Sequence, residues 1–131
     1  MPIDKKSLKP YSKSASATQP ALQGVWQNEL GSTMTITSFD GTTFSGTYES
    51  AVSGGGAPVT GPLAGTLAGD AIGFTVNWSS ATSSVTSWNG LLLSDGNALY
   101  LYTLWYLAST PGSAEDYWES ILAGADIFVQ E

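Results

Sequence analysis

Residues Phe74 to Gly90 read FTVNWSSATSSVTSWNG, two tryptophan-bearing segments joined by a loop made almost wholly of Ser, Ala and Thr. In extended chain, alternate side chains share a face. The first segment therefore sets Phe74, Val76 and Trp78 together, and the second sets Ser84, Thr86 and Trp88 together. With both faces turned inward, two indole rings and two hydroxyls line one interior. An apolar pocket with a few placed polar groups is the usual composition of a small-molecule site.

The same pattern repeats on either side of this pair. Strands are predicted over 24–30, 33–38, 43–51, 61–67, 71–78, 84–94, 97–109 and 122–129, each bounded by turn signals. Asp40-Gly41, Gly69-Asp70 and Asp95-Gly96 mark tight turns. Eight antiparallel strands joined mostly in this way suit an all-β, up-and-down eight-stranded β-barrel, because closure removes both sheet edges. Two connections are longer. One surrounds SGGGAP (Ser53 to Pro58); the other, STPGSAEDYWES, places Ser113 three residues before Asp116 and predicts a capping box opening a short helical turn. Met1 to Gln23 is Lys, Ser, Ala, Thr and Pro without periodicity, so it reads as a disordered tail before a barrel domain over 24–131.

The seventh run has two apolar faces. Leu101, Thr103, Trp105 and Leu107 share one, and Tyr100, Tyr102, Leu104 and Tyr106 share the other. An outer wall of this kind predicts self-association, since no amphipathic helix is available to cover it.

Charge excludes some functions. The net charge is −7, and all four basic residues (Lys5, Lys6, Lys9 and Lys13) precede Ser14. A body without one positive side chain lacks the phosphate-neutralising term that nucleic-acid binding needs. No apolar run approaches the roughly 20 residues of a membrane span. The chain shows no signal peptide as it stands, so a secreted protein whose leader is removed and an intracellular one both fit. There is no Cys and no His. Ser and Thr nucleophiles therefore have no evident base, and Glu115, Asp116 and Glu119 read as a solvated acidic turn. No carboxylate cluster has calcium-loop spacing. The expectation is a binding protein, not an enzyme, with no cofactor.

Six blocks carry a resemblance. GVWQNELGS (Gly24 to Ser32), GTYESAV (Gly46 to Val52), GFTVNW (Gly73 to Trp78), TSWNG (Thr86 to Gly90), TLWYL (Thr103 to Leu107) and WESILAGADIF (Trp118 to Phe128) closely resemble the avidin/streptavidin family, in its order and near its spacing. The resemblance implies an eight-stranded barrel, assembled as a homotetramer, that binds biotin at one end. On the matching positions, Asn28, Ser32 and Tyr48 donate to the ureido oxygen, as converging donors stabilise an oxyanion. Ser50 and Asp126 accept from the ureido N–H groups, the carboxylate through a charge-assisted bond. Thr86 faces the ring sulfur. Trp78, Trp88, Trp105 and Leu107 form the apolar walls, and Ser84 and Ser53 meet the ligand carboxylate. Trp118 matches the residue that reaches into a neighbouring subunit's site as a lid.

Read without the family, Asn28 and Ser32 also suit a plain hairpin, and the tryptophans a plain core. Asp126 is harder to explain structurally, because an inward acid between Ala125 and Ile127 is costly without a partner. Two departures bear on strength. Gly54 stands where streptavidin-type members offer Asn, leaving only its backbone N–H, and the glycines beside it raise the ordering cost of closing that loop. Ala123 and Ala125 replace larger residues that often pack between subunits. Rival readings are a same-shaped barrel for another small ligand or for biotinylated conjugates, and a purely structural oligomer.

Overall fold

The structure, a computed structural model, describes residues 9–10, 21–51, 58–79, 82–111, 113 and 121–131. Along β6 (Ala71–Asn77), Ile72, Phe74 and Val76 are buried while Ala71, Thr75 and Asn77 are exposed. That period of two recurs in β2 (Gly24–Asn28), β3 (Thr33–Phe39), β4 (Thr43–Ser50), β5 (Val59–Ala68), β7 (Ser84–Asp95), β8 (Ala98–Ser109) and β9 (Ile121–Gln130). It follows from placing one row of side chains in a shared interior.

Each of these strands pairs antiparallel with its sequence neighbour. The pairing of β2 with β9 closes the sheet into the expected eight-stranded barrel, and no helix is present among the described residues. The three predicted turns form, with Gly41, Gly69 and Gly96 all at positive φ. In the first, Asp40 Oδ1 accepts from the Thr42 and Thr43 amides at 2.9 and 2.7 Å, and these bonds hold its carboxyl below its ordinary range.

Strand β5 begins two residues earlier than the turn signals suggest, because Val59 pairs with Ser50 at the far end of β4. Pro62 is accommodated within it, since the ladder to β6 starts only at Leu63 and Val76 and no partner there needs its missing N–H.

At one end the barrel interior is filled by Trp26, Ile36, Ile72, Leu92 and Leu101, all nearly inaccessible. Residues ahead of Gly24 take part in this plug. Leu22 is fully buried, and its carbonyl accepts from Trp26 Nε1 at 3.0 Å. A single Leu in PALQ carries no periodic signal, so only the packing exposes its role. Further back, Lys9–Pro10 (β1) pairs with Ser94 and Leu93 of β7, beyond the point where the ladder with β6 ends. The rest of the expected tail, residues 1–8 and 11–20, lies outside the described residues, as do most of the SGGGAP loop and of the expected capping-box turn.

Candidate ligand-binding site

The other end of the barrel holds a cavity of about 300 Å³. All eleven expected site residues that fall within the described structure line it: Asn28, Ser32, Tyr48, Ser50, Trp78, Ser84, Thr86, Trp88, Trp105, Leu107 and Asp126. Ser53, Gly54 and Trp118 lie outside the described residues.

An aromatic cluster forms the floor. Trp88 stacks between Tyr48 (centroids 4.9 Å apart) and Phe74 (5.0 Å), and Phe128 meets Trp88 edge-on. Such pairs contribute about 0.5–1.5 kcal/mol each beyond their burial. The stack fixes the indole so that Trp88 Nε1 donates to Asp126 Oδ2 at 2.9 Å. Trp105 flanks this floor from β8, directly opposite Gly124 on β9. A Cβ at Gly124 would sit 2.4 Å from Trp105 Cζ2, so the indole lies against a backbone that only glycine leaves open.

Polar groups are oriented by their other partners. Asn28 Oδ1 accepts from the Leu30 and Ser32 amides at 3.0 and 2.9 Å, which rounds the β2–β3 hairpin. That assignment leaves Asn28 Nδ2 facing Tyr48 Oη, 3.5 Å away. The hairpin bonds thus engage Oδ1 and leave Nδ2 as the donor end of the side chain. Ser32 Oγ accepts from the Ala51 amide at 2.8 Å, so its own proton is available to donate. Ser50 Oγ donates to the Ala51 carbonyl at 3.3 Å and keeps its lone pairs for an N–H. Thr86 Oγ1 accepts from Trp78 Nε1 at 2.8 Å, and its hydroxyl proton points elsewhere. Ser84 Oγ lies 2.6 Å from Thr82 Oγ1 near the mouth.

Burial dominates the acid–base behaviour. It pushes the Tyr48 phenol well above its ordinary range, keeping it a neutral donor. It also pushes the Asp126 carboxyl upward; the Trp88 bond opposes that shift, the nearby Glu29 carboxylate adds to it, and the Asn28 amide opposes it. The arrangement sets neutral donors (Asn28, Ser32, Tyr48) beside acceptors (Ser50, Asp126) at one end of an aromatic-walled cavity.

The Avidin family model matches residues 16–131. The chain belongs to the avidin family. Among solved structures it is similar to the biotin binding protein from chicken, with 34% identity and a TM-score of 0.76 over 86% of this chain and 98% of that one. Xenavidin is similar at 33% identity and a TM-score of 0.75, over 87% of this chain and all of the other. AVR2 is similar at 30% identity and a TM-score of 0.75, over 88% of this chain and 98% of the other.

Within this avidin-family barrel, Leu30, Val59 and Thr82 also line the cavity. Thr82 sits in the Ser/Ala/Thr loop, where residue type alone does not separate a connector from a wall. Val59 was legible in principle, since it continues the inward alternation of Gly61 and Leu63. Leu30 gave no signal; it is mostly exposed at the hairpin tip and reaches the cavity only at its rim.

Proposed function

We propose that this chain binds biotin non-covalently in the open end of the barrel, tightly enough to sequester it. The observation that carries this reading is the pairing of donors and acceptors at one cavity end. A ureido group presents one carbonyl oxygen flanked by two N–H groups, and the candidate donors Asn28, Ser32 and Tyr48 line the same cavity as the candidate acceptors Ser50 and Asp126. Membership of the avidin family and similarity to a chicken biotin binding protein support the same ligand. The groups bind and polarise; the reading needs no catalytic step. Thermal melting with and without biotin tests it: at 100 times the dissociation constant, apparent stability should rise by ~2.7 kcal/mol. No shift at saturating biotin would sink it.

The assembly proposed is a homotetramer in which Trp118 covers a neighbour's site. The outer face of β7–β9 supports association, with Leu104 53%, Tyr106 59% and Ile121 60% exposed and aligned across the ladder with Ala108, Ala123 and Ala125. Leu104→Glu should lower the sedimenting mass, and Trp118→Phe should speed biotin release and loosen the assembly. The glycines around Gly54 point to faster release than in the tightest family members, which a competition assay measures.

Biotinylated conjugates are a second ligand class favoured by one observation. Thr82 and Ser84 offer only neutral hydroxyls near the mouth, and no basic residue follows Lys13. An acyl amide should then bind nearly as well as the free acid.

A further inference from the structure

The ladder between β2 and β9 pairs Trp26 with Gln130, Gln27 with Val129 and Asn28 with Phe128, and there it stops. One step further, the Ile127 amide would have no strand partner on that side. Glu29, the residue after the end of β2, supplies one: its Oε2 accepts from Ile127 N at 2.9 Å. The carboxylate thus closes the barrel seam at the residue adjoining Asp126.

We infer that Glu29 is a positioning residue for Asp126, fixing the strand that presents it and making ligand retention depend on pH. The groups facing Asp126 are Trp88 from β7 and Asn28 from β2, with Thr103 Oγ1 of β8 donating to its backbone carbonyl. Tyr48 of β4 stays neutral through burial, so Glu29 is the anion acting on Asp126 among the described residues. A negative neighbour favours the protonated carboxyl, and a protonated Asp126 no longer accepts a ligand N–H as an anion. No base after Lys13 offsets it.

The ligand part of this inference rests on the biotin reading, so the test has a ligand-free arm. In the full chain, 13C-carboxyl NMR follows Asp126, assigned through Asp126→Asn, in the parent protein and in Glu29→Gln. Gln keeps an acceptor for the Ile127 amide and removes the charge. The Asp126 midpoint should fall by about 0.2–0.7 pH units, the size of an exposed charge's effect, and shrink toward zero in high salt. The pH profile of biotin dissociation should shift downward by the same interval. Glu29→Ala should also speed release at every pH, by about two- to tenfold, through the lost amide contact. An unmoved midpoint in Glu29→Gln overturns the inference. A chain that binds no biotin but shows the midpoint shift refutes the ligand reading alone.

Discussion

The two ends of this barrel are built from the same strands and behave as opposites. On β2, Trp26 faces the closed end and Asn28, two residues on, faces the cavity. On β7 the corresponding pair is Leu92 and Trp88, and on β8 it is Leu101 and Trp105. At the closed end almost every inward side chain is apolar, Ser94 being a buried polar exception, and each fully buried aliphatic or aromatic residue contributes about 1.5–3 kcal/mol. At the open end, Asn28, Ser32, Thr86 and Asp126 are buried, and polar burial costs free energy unless hydrogen bonds compensate. Here they do: among the described residues no buried side-chain nitrogen or oxygen lacks a partner. Yet each polar group spends only part of its capacity on the protein. Stability is concentrated at one end and unspent hydrogen-bonding capacity at the other.

The comparison breaks if mutations at the two ends have the same consequences. The largest effect is expected from Trp26→Ala, which removes the centre of the closed-end plug and its bond to Leu22. It should cost about 3–5 kcal/mol in denaturant unfolding, with biotin affinity preserved in the fraction that remains folded. Asp126→Asn should do the reverse. The amide still accepts from Trp88, so unliganded stability should hold or rise slightly, while biotin binding measured by dissociation rate weakens about ten- to hundredfold.

Gly124→Ala sharpens the boundary between the ends. The new methyl group collides with Trp105, whose indole lines the cavity and has open space on that side. Affinity should fall about tenfold, with a stability change under about 1 kcal/mol, because the displaced ring enters open space instead of a packed core. The smallest effect is that of pH on the melting of unliganded protein. Asp126 is raised above its ordinary value by burial, so between the unfolded and folded midpoints the folded state holds a proton that the unfolded chain has released. Its contribution to stability is present at low pH and is lost as pH rises through its folded midpoint. Biotin should reverse the slope, since its N–H favours the ionised form. A stabilisation by biotin that does not grow between acid and neutral pH would place the acceptor elsewhere.

Much of the barrel was legible along the chain. Alternation within FTVNW and VTSWNG, and glycine after Asp40 and Asp95, are local signals, and local backbone sterics enforce them. Six spaced blocks carried the family, and with it eleven cavity residues. What stayed hidden depends on contacts between distant segments. Glu29 and Ile127 are 98 residues apart, and their bond exists only because β2 ends one step short of the ladder with β9. Gly124 reads as a weak point in a strand until its register sets it against Trp105. Leu22 is an isolated apolar residue until the closed end needs a plug. Composition and periodicity specify which face of each strand turns inward, because the period of two is a property of the backbone. Which end of that interior closes, and which residue stands across from which, is settled by strand register, a property of the assembled sheet that no single stretch contains.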